Sequence, residues 1–159
     1  MDRYWVTTGS TNVEAVVNPL AAACTEWDYI PSHIYLLSNP GVESNIDRIT
    51  DLATTIVEAY GGETPTVECT SLESETDFQA IVGHFRDAIE AAKAADGDVV
   101  VDVTPGRKFM SAIAFQAGIQ YEATKVSYLH VHSGALFGRV YADLPRTGTT
   151  LYDFREVFA

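Results

Sequence analysis

The sequence predicts a three-layer α/β sandwich on a mainly parallel sheet in the order 3-2-1-4-5, with an antiparallel strand added towards the C-terminus. Three observations carry that prediction. Short β-branched and aromatic runs alternate along the chain with longer stretches of helical periodicity. The run Val99-Val100-Val101-Asp102-Val103 is almost continuously apolar, as a strand covered on both faces is. The chain has 159 residues, 47% of them hydrophobic, enough for one domain with a core that needs no disulfide or structural metal.

Tyr4 to Thr8 is the first strand, ended by Gly9. Val13, Val16, Val17, Leu20, Ala21 and Cys24 then recur at helical spacing, and Thr11 with Glu14 fits a capping box. Pro19 leaves two readings. Either the helix is kinked there, or it starts at Asn18 with Pro19 as its first residue and 9–17 form a loop. His33 to Leu37 is the second strand, followed by the turn Asn39-Pro40-Gly41. Ser44 is expected to cap a helix whose apolar face runs from Ile46 to Tyr60 and which Gly61-Gly62 stops. Thr66 to Cys69 gives a brief third strand, and Phe78, Ile81, Val82, Phe85, Ile89 and Ala92 mark a third helix ending near Asp96-Gly97. After the fourth strand a helix is expected from about Pro105 to Tyr121. Val126 to His132 and Arg139 to Leu144 read as two last strands joined by a turn through Gly134 and Gly138.

Charge narrows the function. Asp and Glu number 22 against 10 Lys and Arg, a net −12, and the only lysines are Lys93, Lys108 and Lys125. Such a surface repels nucleic acid, so no duplex partner is expected. The acids are spread along the chain, as on a protein adapted to a salt-rich cytoplasm (a halophilic surface), where screening acts within about 3 Å at 1 M. No apolar run approaches the roughly 18 residues of a membrane span and MDRYWVTTGS lacks a signal-peptide core, so a cytoplasmic protein with no membrane partner is expected. Cys24 and Cys69, without CxxC spacing, are expected as buried reduced thiols. These readings exclude a secreted scaffold, a membrane protein and a multidomain enzyme.

In an open parallel sheet, ligands bind beyond the carboxyl ends of the strands where the strand order reverses, here between the first and fourth strands. Those strands end in Thr7-Thr8-Gly9-Ser10-Thr11-Asn12 and Asp102-Val103-Thr104-Pro105-Gly106-Arg107-Lys108. Thr104 suits a helix cap and Pro105 the first helical position, which puts Arg107 and Lys108 in the first turn, at the positive end of the helix dipole. A cation there costs about 0.3–1 kcal/mol, and an anion over the free N–H groups would offset it. The candidate ligand-binding residues are therefore Thr8, Gly9, Ser10, Thr11, Asn12, Asp102, Thr104, Gly106, Arg107 and Lys108, for a phosphate group. Asp102 reads more as an internal partner that fixes its loop than as a catalytic carboxylate, and Thr11 as a cap. The GxxxxGK[ST] and GxGxxG phosphate loops are absent, against a dinucleotide oxidoreductase. His130 and His132 share a strand face, but no Cys, Asp or Glu visibly converges on them; a structural role is expected there, and His33 and His84 carry no signal. The fourth helix is apolar around nearly its whole circumference, to be covered either by a second subunit or by the segment Leu151 to Phe158.

The strand followed by Gly9-Ser10-Thr11, and Val99 to Asp102 followed by Thr104, Gly106 and Lys108 in a D-x-T-x-G-x-K pattern, resemble the CRISPR-associated Rossmann-fold (CARF) domain. The resemblance covers about the first 145 residues and implies a Rossmann-like fold. It also implies a homodimer that binds a cyclic oligoadenylate second messenger across its twofold axis, with adenines in side pockets. With only about 15 residues after the last expected strand, the chain is expected to be a stand-alone domain, 1–159: a ring nuclease or a sensor acting through another chain. As a ring nuclease it would need no metal or other cofactor, and Lys108 and Ser10, helped by Arg107, would be the catalytic residues. The reading outside this family is a nucleotide or sugar-phosphate binding domain.

Overall fold

Along the fourth strand the valines alternate between two apolar layers. Val99, Val101 and Val103 belong to one cluster with Tyr4, Val6, Phe85 and Met110, whereas Val100 belongs to another with Trp5, Leu20 and Ile34. Period-two alternation sends successive side chains to opposite faces, so a continuously apolar strand needs helices on both. The computed structural model, which describes all 159 residues, supplies them.

The elements are β1 (Arg3–Thr8), α1 (Val13–Glu26), β2 (His33–Ser38), α2 (Ile46–Ala59), β3 (Thr66–Ser71), α3 (Phe78–Ala94), β4 (Asp98–Asp102), α4 (Lys108–Gln120), β5 (Lys125–Val131), β6 (Thr149–Asp153) and α5 (Phe154–Val157). One sheet runs in the order β3-β2-β1-β4-β5-β6, parallel throughout except for the antiparallel β5–β6 pair. Helices α1 and α2 pack together on one face, and α3 and α4 on the other. The three-layer sandwich expected from the sequence is the one observed, with its order reversal between β1 and β4.

Several local expectations are corrected. Helix α1 runs unbroken through Pro19, which is buried; the helix does not wait for Asn18. Its cap position is Asn12, not Thr11, and the Asn12 side chain makes no capping bond. Ser44 lies inside a short 3-10 turn (Glu43–Asn45) instead of capping α2. Thr104 and Pro105 do not start α4: Gly106 stands at φ +95°, a left-handed conformation no helix accepts, so α4 begins at Lys108 with Arg107 at its cap position. Cys24 is buried and reduced, but Cys69 is exposed, because β3 is a sheet edge with little cover.

The largest correction concerns the last strand. Arg139 to Leu144 is not a strand; it holds a 3-10 turn at Tyr141–Asp143. The strand that joins β5 is Thr149–Asp153, with Val131 opposite Thr149 and Ser127 opposite Asp153. Residues 132–148 thereby form a strap across the carboxyl end of the sheet. Asn18 holds it, donating from Nδ2 to the Arg139 carbonyl (2.7 Å) and accepting at Oδ1 from the Tyr141 amide (2.9 Å). The C-terminal segment covers α4: the Phe115 ring meets Phe154 at 5.8 Å and Phe158 at 5.6 Å, both edge-on. Of the two ways to cover that helix, burial under the chain's own end is realised at Phe115.

Candidate functional site

The two glycine loops meet where the sheet order reverses. The Thr8 hydroxyl donates to the Pro105 carbonyl across 3.1 Å, tying the end of β1 to the loop after β4. That contact requires Gly106: a Cβ there would lie 2.6 Å from Thr8 Oγ1, and its positive φ already disfavours a side chain. Gly9 is similarly confined, its ideal Cβ 3.1 Å from the Leu37 carbonyl oxygen, to which the Gly9 amide donates at 2.7 Å.

Beneath the loops lies a buried polar network. The Asp102 carboxylate is 1% exposed and accepts from Thr104 Oγ1 (2.8 Å), Ser127 Oγ (3.0 Å) and Thr7 Oγ1 (3.4 Å). Burial pushes its pKa up to about 7, against the pull of those hydrogen bonds. The Thr104 hydroxyl, having donated to Asp102, accepts from the Leu129 amide at 3.0 Å. His84, also buried, has Nε2 3.1 Å from the Thr7 carbonyl and Nδ1 3.1 Å from Thr70 Oγ1, and burial pulls its pKa down to about 4. Thr7 therefore sits between an aspartate and a histidine that both hold the end of β1 in place.

Two cavities flank the loops. The first, about 430 Å³, is lined by Gly9, Ser10, Thr11, Gly106 and Arg107 together with Asn39 to Val42 and Glu75. The second, about 370 Å³, is lined by Asn12, Thr104, His130 and Arg139 among others, beneath the strap. Ser10 Oγ accepts from the Asn12 amide at 3.1 Å, which shapes the first loop.

The expected residues thus divide. Gly9, Ser10, Thr11, Gly106 and Arg107 share one cleft, while Asn12 and Thr104 line its neighbour. Thr8 and Asp102 are buried and act on the loops from below. Lys108 is exposed at the first position of α4 and lines neither cavity. Arg107 is not free: its Nε lies 3.2 Å from Glu75 Oε2. Sequence reasoning missed Glu75, His84, His130 and Arg139 as neighbours of the site, since each comes from an element distant in sequence. The placement of His130 at the carboxyl end of β5 was the one available signal.

No family model matches the sequence, and no curated protein matches it. Solved structures do. Enterococcus italicus Csm6 bound to cyclic hexa-2′-fluoro-hexa-dAMP matches with a TM-score of 0.62 at 17% identity, over 99% of this chain and 43% of its own. A type III CRISPR defence DNA nuclease activated by cyclic oligoadenylate matches at 0.57 and 20% identity, over 83% of this chain and 19% of its own. Can2 from Sulfobacillus thermosulfidooxidans, in complex with cyclic tetra-adenylate, matches at 0.55 and 15% identity, over 79% and 31%. The chain spans less than half the length of each. The likeness bears out the Rossmann-like fold that the resemblance implied.

Proposed function

We propose that this chain binds a cyclic oligoadenylate, as a CARF-type domain, at the crevice between the Gly9–Asn12 and Thr104–Arg107 loops, and opens the ring without a metal. One observation carries the reading. The loops bearing the two motifs are bonded to each other through Thr8 and Pro105 at the order reversal of a sheet whose fold is shared with proteins bound to, or activated by, such rings. Main-chain N–H groups at the start of α4 and the Arg107 guanidinium suit phosphate oxygens there.

A homodimer fits the reading. Cavities of roughly 300–1,000 Å³ accommodate a drug-sized ligand, and a ring of four nucleotides is several times larger than that. The cleft of about 430 Å³ in one chain therefore takes part of a ring, and a twofold pair of clefts suits a ring with twofold symmetry. A thermal-shift series across cyclic tri-, tetra- and hexa-adenylate, ATP and AMP tests the proposal. A rise in melting temperature with one cyclic ring and none with AMP supports it; a rise with a mononucleotide alone favours a nucleotide-binding domain of another kind. The reading of a sensor that holds its ring uncut draws on the exposed position of Lys108, outside the cleft where it was expected to act.

A further inference from the structure

β3 closes one end of the sheet and pairs with β2 alone, in an unbroken register from His33 opposite Thr66 to Ser38 opposite Ser71. The Thr66 and Leu72 amides donate inward, to the Ser32 and Ser38 carbonyls, at 3.0 and 2.8 Å. Alternation along the strand therefore turns the N–H and C=O groups of Val67, Cys69 and Ser71 outward, where they meet no partner in the chain. Such an edge is a template for another strand, and proteins that keep theirs closed use lysine, proline or a bulge. Thr66–Ser71 contains none of the three.

A groove runs beside this edge. Helix α3 packs chiefly over β4, β1 and β2. Thr70 Oγ1 lies 3.1 Å from His84 Nδ1, so Thr70, and with it Glu68 and Thr66, stand on the α3 side of the sheet. Between them and α3 lies a cavity of about 930 Å³, larger than either cavity at the glycine loops. Tyr35 and Phe78 give it apolar walls. Glu68, Asp77 and Asp87 give it charge against one cation, Arg86, which Asp87 already holds at 3.0 Å.

We propose that the β3 edge and this groove dock a cationic, extended segment of another protein, which joins the sheet as a seventh strand whether or not the ring reading holds. Charge decides the occupant. Between Arg48 and Arg86 the chain has no lysine or arginine. Glu63 before β3, Glu68 within it and Glu73 beyond it are exposed and belong to none of the four ion pairs. A second copy adding its own β3 would set two such rows of carboxylates along one seam, and like charges across a strand pair are destabilising. A segment with Lys or Arg at every second position meets the opposite case. Its main chain bonds to the outward groups of Val67, Cys69 and Ser71. Its cationic side chains lay their stems on Tyr35 and Phe78 and bring their charge to Glu68 and Asp77.

The test uses the whole chain, a labelled octapeptide alternating lysine and valine, and a counterpart alternating glutamate and valine. Fluorescence anisotropy is expected to show saturable binding of the first, weakening as salt rises, and none of the second. On binding, exchange of the Val67, Cys69 and Ser71 amides with solvent is expected to slow, which loose attraction to the acids would not cause. Cys69→Pro removes an outward N–H and no bond of the β2–β3 ladder, so it should weaken binding about tenfold. Glu68→Lys, which leaves the main chain intact, should lose the lysine peptide and gain the glutamate one. Failure of the lysine peptide to bind overturns the proposal, as does binding with unslowed exchange at those three amides or binding that neither substitution alters. So does a wild-type dimer that Cys69→Pro turns into a monomer by light scattering, because the occupant is then a second copy. The ring reading is tested separately, with no peptide present, and stands or falls on its own result.

Discussion

Gly106 shows how a single residue fixes the site. Its positive φ and the 2.6 Å approach of Thr8 Oγ1 to an added Cβ both oppose any side chain. Gly106→Ala should cost about 2 kcal/mol in urea unfolding, from the left-handed strain and the lost Thr8–Pro105 bond together, and should weaken ring binding; an unaltered midpoint would contradict this. Glu75 acts in the opposite sense, because under the proposed function its carboxylate would compete with a ring phosphate for Arg107. Arg107 is exposed and Glu75 half-buried, so solvent still screens the pair, and Glu75→Gln should tighten ring binding only about two- to fivefold, read by calorimetry at low salt. The buried network gives a pH signature. Asp102 is raised to about 7, so its contribution is full below its ordinary value near 3.8 and is lost as pH rises through 7. His84, lowered to about 4 from 6.5, contributes fully above 6.5 and its share is lost as pH falls through 4. The two slopes oppose each other between pH 4 and 6.5. Asp102→Asn removes one, so its stability should climb more steeply with pH across that window than the wild type's; parallel curves from thermal melts would refute the assignment. The glycine loops were legible in the sequence because turn chemistry is local. Glu75 and Arg139 were not, since long-range packing alone brings them to the loops.

At the scale of elements, the sequence revealed five of the six strands and the four long helices by periodicity, and failed where a local signal had two uses. Thr104-Pro105 has the chemistry of a helix start, but the Pro105 carbonyl is committed to Thr8 and Ser111, and Gly106 turns the chain the wrong way. Arg139 to Leu144 has enough apolar content to read as a strand, yet Thr149–Asp153 wins the place beside β5. Its Asp153 side chain accepts from the Val126 amide at 3.1 Å, and α5 beyond it covers Phe115. The displaced segment becomes the strap, and Asn18 is its buried anchor. Asn18→Ala leaves the Tyr141 amide without its acceptor and should cost on the order of 2 kcal/mol. It should also expose 133–148 to limited proteolysis at sites the wild type protects; an unchanged digestion pattern would show that the strap is held by something else. Pro19 sits within an intact helix because its position is fixed by tertiary burial, a cue that periodicity alone does not carry.

For the whole molecule, charge and ligand stand in tension. A net charge of −12 repels a polyanion at long range, so the proposed binding rests on a few local cations and main-chain donors at the carboxyl edge of the sheet. The same excess of acids implies self-repulsion that salt relieves. Melting temperature is expected to rise from dilute buffer to molar KCl, and a flat response would argue against the salt-adapted surface. No helix is long and apolar enough to cross a membrane. The central claim is that two copies of the crevice share one cyclic oligoadenylate. Isothermal titration of the chain with cyclic tetra- and hexa-adenylate, alongside its molar mass by light scattering, tests that most directly. Saturable heat with one of the rings at half a ring per chain, together with a dimer's mass, is the expected result. No heat with either ring, or one ring held by each monomer, would contradict it.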